Sequence, residues 1–332
     1  MRFLKFDLYE GGHVGVFNNL MSLELAVGLC VLSGRRLLLN EPPHAIFNSE
    51  RSCRLLDLMD LCFPHQVGQF AQLRGELLPD LHSRQVGLDE LWELHSAPVV
   101  ATCNDRTLGY YSYTLPGDPR VVYACNQLIV VKERYRLAAA AIVNELRRRH
   151  GTFASIHVRR KDFLGDHERT GAVAVEEMLH NLSCHVSPDT FLVIHSDELE
   201  PEYFAPLLQV FEKHCLIDIT LSREFCPNVL DSAELGLISA LVASASDMFL
   251  GTMFSTFTGY IQRRRALSGK PGGFLYLYNQ RPDCLAFRDG RILEQDATGP
   301  TWERIAMAED LRSICFWWRE WPESMGPGGG LN

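Results

Sequence analysis

The sequence lacks the two most familiar zinc-binding motifs of cysteine and histidine. Ten cysteines are spread over 332 residues without one CxxC pair, and no HExxH segment occurs. This cysteine content is also well below that of a disulfide scaffold, so we expect the thiols to be buried as small apolar groups in a reducing compartment. We therefore expect no metal ion and no cofactor.

Positive charge and long apolar runs are also scarce. The chain has 32 lysine and arginine residues against 41 aspartate and glutamate residues, a net charge of −9, which disfavours a protein that binds nucleic acid by neutralising phosphates. The longest apolar stretches, such as 26–32, are far shorter than the ~18–20 residues that span a bilayer. Asp7 and Glu10 lie where a signal peptide has its apolar core. We expect a cytoplasmic protein that binds neither nucleic acid nor membrane.

Strand and helix patterns alternate along most of the chain. The predicted strands are 3–8, 36–40, 98–103, 120–125, 153–158, 191–196, 216–221, 248–251 and 273–277. The predicted helices are 20–32, 133–149, 173–186, 202–214, 232–244 and 256–267. Alternation of this kind indicates parallel sheets with crossover helices, which is an α/β fold.

Two such halves predict two Rossmann-like domains joined near residue 150. We expect an N-terminal domain over 1–150 and a C-terminal domain over 151–300. A tryptophan-containing helix over 301–325 is expected to pack back across the domains, and the glycine-rich tail 326–332 is expected to be flexible. Ligands of such folds bind at loops that follow the carboxyl ends of strands.

The first of these loops, 10–19, contains three glycines between a strand and a helix. Glycines let backbone amides approach a ligand closely, and a helix N-terminus favours an anion. The loop lacks GxGxxG and an acidic residue placed to bind a ribose, which disfavours a dehydrogenase. A plain tight turn explains it as well as a binding loop does.

The second loop follows the apolar strand 153–158. Strand alternation places His157 and Arg159 on one face. A guanidinium fixed at the end of a strand is well suited to bidentate contact with phosphate. The alternative is a solvated basic turn.

The third loop, within 247–258, joins a short strand to a helix. Ser255 and Thr256 are typical N-cap residues. The same hydroxyls and the free amides of the first turn could hold a phosphate. Capping alone would also explain both residues.

In this order, the three loops resemble the motifs of the GDP-fucose-dependent O-fucosyltransferase superfamily, which has the GT-B fold of two Rossmann-like domains facing across a cleft. Phe17, Asn18 and Asn19 match its first motif, GGxNNQ or GFNNQR, with Leu20 in place of the glutamine. The resemblance spans roughly 8–270.

The second motif of that family, HxRxxD, is matched in full by His157, Arg159 and Asp162. The segment IHVRRKDF is similar to VHLRRKDF of the protein O-fucosyltransferases that modify thrombospondin repeats. The segment 194–198, IHSDE, resembles the family's strand that ends in TDE. The third motif is matched by Asp247, Gly251, Thr252, Ser255, Thr256 and Phe257.

The resemblance implies a metal-independent inverting glycosyltransferase that transfers fucose from GDP-fucose to a hydroxyl of a protein, an oligosaccharide or a small molecule. It implies that Arg159 is catalytic and contacts the β-phosphate and the glycosidic oxygen. The implied donor-binding residues are Phe17, Asn18, Asn19, His157, Arg159, Asp247, Ser255, Thr256 and Phe257.

The catalytic base stays open. In the relatives nearest by the second motif, a glutamate precedes the first-loop turn, and Gly15 and Val16 occupy that place here. Glu10 and His13 lie in the same loop, and either could take a proton from an acceptor hydroxyl. A route without a base, driven by Arg159, is the alternative.

Two other functions are compatible with these motifs. One is a transferase for another deoxyhexose, such as rhamnose. Asp247 favours a guanine nucleotide there, because a carboxylate accepts hydrogen bonds from guanine N–H groups. The other is an inactive nucleotide-sugar-binding scaffold protein, which the intact Arg159 disfavours.

Overall fold

The computed structural model describes residues 3–7, 15–40, 55–61, 84–85, 101–102, 128–160, 175–198, 200–216, 232–252, 255–268, 270, 275–276, 286–288 and 291–293. The chain divides into two compact units. Met1–Glu133 form most of the first unit, and Arg134–Leu230 with Leu235–Glu323 form most of the second. The predictions for 120–125, 301–325, 326–332, Glu10, His13 and Asp162 lie outside the described residues.

The first unit contains a small parallel sheet with the order β2-β1-β5-β4. Its elements are β1 (Phe3–Asp7), α1 (Val16–Ser33), β2 (Arg36–Asn40), α2 (Leu55–Leu58), β3 (Met59–Leu61), β4 (Arg84–Gln85), β5 (Ala101–Thr102) and β6 (Ile129–Val131). Strands β3 and β6 form a separate antiparallel pair. Leu4 on β1 lies opposite Leu37 on β2, and both are buried.

Helix α1 begins earlier than the predicted segment 20–32. Gly15 is its N-cap, and its carbonyl accepts a 3.2 Å bond from the amide of Asn19. Val16 and Leu20 are buried, so the apolar face of the helix continues back to its first turn. The helix ends at Gly34, whose φ of 62° is the left-handed conformation that favours glycine. The first-loop asparagines therefore lie in a helix and not in a loop.

The second unit contains a five-stranded parallel sheet with the order β11-β10-β7-β8-β9. Its elements are α3 (Glu133–His150), β7 (Phe153–Val158), α4 (Val175–Ser183), β8 (Phe191–Ser196), a 3-10 turn (Pro201–Phe204), α5 (Ala205–Val210), β9 (His214–Leu216), α6 (Ser232–Ala245), β10 (Met248–Gly251), α7 (Thr256–Leu267) and β11 (Leu275–Tyr276). Two further strands, β12 (Ala286–Arg288) and β13 (Arg291–Leu293), form a hairpin. The α/β class with a parallel sheet is confirmed.

The prediction of one helix over 202–214 was wrong. A 3-10 turn precedes α5, which ends at Val210, because Phe211 leaves the helical conformation with φ −99° and ψ 79° and is fully buried. The next strand consequently begins at His214 and not at 216. Burial of one aromatic side chain outweighs the helical pattern here.

The two faces of β7 differ in chemistry. Ile156 and Val158 pack into an apolar cluster with Met178, Leu182 and Leu207 of α4 and α5. The opposite face carries Ser155, which lies near His195, and His157, which contacts α7 as described below. Among the described helices, none is long and apolar enough to cross a bilayer.

Candidate active site at the carboxyl ends of β7 and β10

The carboxyl ends of β7 and β10 lie side by side in the second sheet. The two strands pair in parallel, with Leu250 opposite Ile156, so they end at the same edge. Arg159 and Thr252 follow directly. This is the edge at which open α/β sheets bind ligands.

Thr252 joins the two strand ends through one hydroxyl. Its Oγ1 donates to the carbonyl of His157 at 2.9 Å and accepts from the backbone amide of Arg159 at 2.8 Å. Thr252 is fully buried. The main chain on both sides of Val158 is thereby attached to the end of β10.

The imidazole of His157 is buried against the start of α7. Its Nδ1 lies 2.8 Å from Oγ1 of Thr258, and its ring centroid lies 4.4 Å from that of Phe257. Burial holds the pKa of His157 well below its usual range, and the nearby charges of Arg159 and His195 lower it further. His157 is therefore neutral at physiological pH, and its described contacts are with α7.

Gly251 makes this contact between strand and helix possible. A Cβ on residue 251 would lie 2.3 Å from Cγ2 and 2.6 Å from Oγ1 of Thr258. These distances are too short for any real Cβ, so the absence of a side chain lets α7 approach the sheet. Thr258 and His157 then meet across this contact.

Two adjacent arginines follow β7, and their environments differ. Nη1 of Arg160 lies 2.6 Å from Oε2 of the buried Glu198, and its guanidinium lies 4.3 Å from the centroid of the Tyr203 ring. Nε of Arg159 lies 3.5 Å from Oδ2 of Asp197, and 36% of the Arg159 side chain is exposed. Arg160 is thus engaged in local structure, while Arg159 presents a guanidinium at the edge of the sheet.

Asp197 and Glu198 were not predicted as site residues. The backbone amide of Arg160 donates to Oδ1 of Asp197 at 2.8 Å, so Asp197 contacts both arginines. The sequence signal was present, because the two acids follow β8 as the arginines follow β7. The register of the two strands, with His157 opposite His195, places them together.

The start of α7 lies at the same edge because it follows β10 after four residues. Ser255 precedes the helix, and its carbonyl accepts a 3.0 Å bond from the amide of Gly259. Ser255, Thr256 and Phe257 are all partly exposed. The first turn of a helix carries amides without intrahelical partners and a partial positive charge. Arg159 and this helix N-terminus can both favour an anion.

Asp247 lies at the other end of β10. Its Oδ2 accepts a 3.0 Å bond from the amide of Phe153, the first residue of β7. Oδ1 is 4.0 Å from Nη2 of Arg147. Four strand residues at ~3.3 Å each separate Asp247 from Thr252. The structure therefore places Asp247 at the opposite end of β10 from Arg159, and its role in donor binding stays a prediction.

The first-loop candidates belong to the other unit. Phe17 and Asn19 are buried and Asn18 is half-buried in the first turn of α1. Nδ2 of Asn19 donates to the carbonyl of Gly15 at 3.5 Å. Their role in donor binding stays a prediction, as do the roles of Glu10 and His13, which lie outside the described residues. Over the residues that the structure describes, no three His, Cys, Asp or Glu side chains are grouped to hold a metal ion.

This chain is similar to known proteins in its structure and not in its sequence. No family model matches the chain, and no curated protein matches it. A crystal structure of the fucosyltransferase NodZ from Bradyrhizobium is similar at 14% identity and a TM-score of 0.49, over 79% of this chain and 93% of that one. POFUT1 in complex with GDP is similar at 11% identity and a TM-score of 0.48, over 82% and 98%. A mutant of Arabidopsis thaliana FUT1 in complex with GDP is similar at 12% identity and a TM-score of 0.47, over 80% and 69%.

Proposed function

We propose that this protein is a glycosyltransferase that uses GDP-fucose and transfers fucose, with inversion and without a metal ion, to a hydroxyl of a protein, a glycan or a small molecule. The proposed architecture is GT-B, with the second unit binding the nucleotide sugar. The motif resemblance of the chain supports the donor. The geometry at the carboxyl ends of β7 and β10 supports the chemistry.

One observation carries this proposal: Arg159 presents a partly exposed guanidinium from a fixed main chain, at the same edge of the sheet at which α7 begins. Its amide is bound by Thr252, and its Nε lies near Asp197. Its neighbour Arg160 is occupied by Glu198. A partly exposed guanidinium and a helix N-terminus at the same edge of the sheet suit a diphosphate, which carries charge on both phosphates.

The reaction needs stabilisation of a leaving group more than it needs a metal. The acceptor hydroxyl forms a bond to the anomeric carbon of fucose while the bond from that carbon to the phosphate oxygen breaks. The electron pair leaves with GDP, and the hydroxyl proton goes to a base or to water. Arg159 would neutralise the charge that grows on the departing oxygen, a contribution typically of ~10²–10³ in rate for one such donor.

The remaining donor contacts are proposed at the same edge. Ser255, Thr256 and the Phe257 amide would hold the phosphates, and the donor-binding roles of Phe17, Asn18 and Asn19 rest on the motif resemblance alone. His157, neutral and bound to Thr258, would orient this edge. Glu10 or His13 is the proposed base, with unassisted departure of GDP as the alternative.

Calorimetric titration of GDP, UDP and GDP-fucose in the presence of EDTA tests this proposal. Wild type should bind GDP and GDP-fucose in preference to UDP. Arg159→Ala should weaken GDP binding about tenfold to a hundredfold, because a charge-assisted hydrogen bond is worth ~1.5–3 kcal/mol. Arg148→Ala, which removes an exposed arginine of α3 paired with Glu145, is the matched control and should bind like wild type.

Two results would overturn the proposal. If wild type binds no GDP, or binds UDP more tightly, the donor is not GDP-fucose. If Arg159→Ala binds GDP as wild type does, Arg159 does not contact the diphosphate. Release of GDP from GDP-fucose by wild type with a mixture of glycan and peptide acceptors then separates an active transferase from a binding protein.

A further inference from the structure

We propose that Thr252 is a positioning residue for Arg159, and that its hydroxyl sets the affinity of the site for the second phosphate of the nucleotide. This inference rests on the proposed function. Thr252 acts through the main chain of Arg159 and not through a contact of its own with the nucleotide.

The hydroxyl of Thr252 adds the last two hydrogen bonds between β7 and β10, at the point where the two chains diverge. In a parallel ladder that continued past Gly251, the main chain of residue 252 would bond to the carbonyl of His157 and to the amide of Arg159. Here the side chain makes both bonds, at 2.9 Å and 2.8 Å. The main chain of β10 is therefore free to turn toward α7 while Arg159 stays attached.

Only a hydroxyl can make both bonds at one atom. It donates its single hydrogen to the His157 carbonyl, which directs its lone pairs at the Arg159 amide. Thr252 is fully buried, so water cannot take over either bond. The surrounding contacts are rigid too, because Gly251 lies against Thr258 and Thr258 is bound to His157.

Fixing the main chain of Arg159 matters because its guanidinium is at the end of a flexible side chain. A bidentate contact with phosphate tolerates little error, and a displacement of ~1 Å at such a group can reduce a rate ~10²-fold. Asp197 steers the side chain through Nε at 3.5 Å. Thr252 fixes the point from which that side chain starts.

The decisive variants are Thr252→Val, which keeps the shape and removes the hydroxyl, and Thr252→Ser, which keeps the hydroxyl. Ser246→Ala is the matched control. Ser246 is a fully buried hydroxyl beside the amino end of the same strand, and its Oγ lies 2.7 Å from the carbonyl oxygen of Ala243 and 2.9 Å from that of Met248. Loss of either buried hydroxyl should lower the thermal stability, but only the Thr252 hydroxyl contacts the main chain of Arg159.

Binding of GDP and GMP by calorimetry separates positioning from stability, because GMP lacks the second phosphate. Thr252→Val should weaken GDP binding about tenfold and leave GMP binding within about twofold. Thr252→Ser and Ser246→Ala should bind both nucleotides as wild type does. Amide hydrogen exchange should show loss of protection at Arg159 in Thr252→Val alone. If Thr252→Val does not fold, Thr252→Ala against Thr252→Ser gives the same comparison.

The outcomes are distinguishable. If wild type binds no GDP, the proposed function fails and this inference fails with it. If wild type binds GDP and Thr252→Val binds it equally well, or loses GDP and GMP affinity in parallel, the inference alone is wrong. Equal GDP affinity in Ser246→Ala and Thr252→Val would also show that the Thr252 hydroxyl has no particular role in positioning Arg159.

Discussion

The hydroxyl oxygen of Thr258 lies 2.8 Å from Nδ1 of His157, and both side chains are buried. His157 belongs to β7 and Thr258 to the first turn of α7, so this bond attaches the sheet to the helix that begins at the candidate site. The helix N-terminus and Arg159 keep their relative positions through it. Loss of this bond should therefore lower the stability of the fold more than it changes the candidate site.

Thr258→Val should lower the free energy of unfolding by about 1–3 kcal/mol, because it leaves a buried ring nitrogen of His157 without its partner. Thr258→Ser keeps the hydroxyl and should lose less. Urea unfolding at pH 7.5 measures both. Equal stability of Thr258→Val and wild type would mean that the bond contributes nothing.

Gly251→Ala should lower the free energy of unfolding by about 1–3 kcal/mol, because the added methyl overlaps the side chain of Thr258. The clash is specific, so a double-mutant cycle can isolate it. Thr258→Ala removes the two atoms nearest to that methyl. The double variant should therefore lose less free energy of unfolding than the two single variants lose together. Strict additivity in urea unfolding would contradict a direct contact.

Stability should fall on the acid side of pH 6.5 because two buried histidines are neutral in the folded state. Burial lowers the pKa of His195 to about 3 and holds that of His157 well below its usual range. The unfolded chain, with a histidine pKa of ~6.5, binds more protons between these values. The contribution of His195 is thus complete above about pH 6.5 and is lost as pH falls toward 3, by ~1.4 kcal/mol per pH unit, and His157 adds a loss of the same sign.

His195→Gln isolates one of the two imidazoles. Between pH 7 and pH 5, its free energy of unfolding should fall by about 2 kcal/mol less than that of wild type. Parallel curves for His195→Gln and wild type would show that His195 does not drive the acid loss.

Arg265→Met should destabilise the second unit by about 2–3 kcal/mol. The guanidinium of Arg265 is buried beyond the end of α6, where it donates to the carbonyls of Ser246 at 2.6 Å and Asp247 at 3.2 Å. Burial lowers its pKa to about 10, which still leaves it charged at neutral pH. Lys270 also reaches Ser246, which limits the loss. The neighbouring and more exposed Arg264→Met is the control in thermal unfolding, and an equal loss in both would contradict this account.

The sequence predicted the second sheet well because its strands are continuous apolar runs with clear ends. The bounds predicted for 153–158, 191–196 and 248–251 are those of β7, β8 and β10. Helix α7 also has its predicted bounds. The errors lie where tertiary packing decides, as at the buried Phe211, or where a helix extends into a predicted loop, as at Val16.

The position of the candidate site at the ends of β7 and β10 was predictable from the sequence, but its bonds and the participation of Asp197 and Glu198 were not. Alternation along β7 placed His157 on a face away from Ile156, and the structure confirms that. Arg159 has one partner, Thr252, that lies 93 positions later in the chain, and another, Asp197, that follows the neighbouring strand β8. No local pattern encodes such pairs, because they depend on strand order and register.

Asp247 is the residue for which sequence resemblance and structure point to different ends of a strand. It precedes β10, and its carboxylate accepts from the Phe153 amide on the side away from Arg159. Asp247→Asn should therefore bind GDP within about twofold of wild type by calorimetry, while its free energy of unfolding falls by about 1 kcal/mol through a weaker hydrogen bond. Arg159→Ala should show the reverse, a loss of GDP affinity with little loss of stability. A large loss of GDP affinity in Asp247→Asn at unchanged stability would instead support the donor-binding role that the resemblance implies.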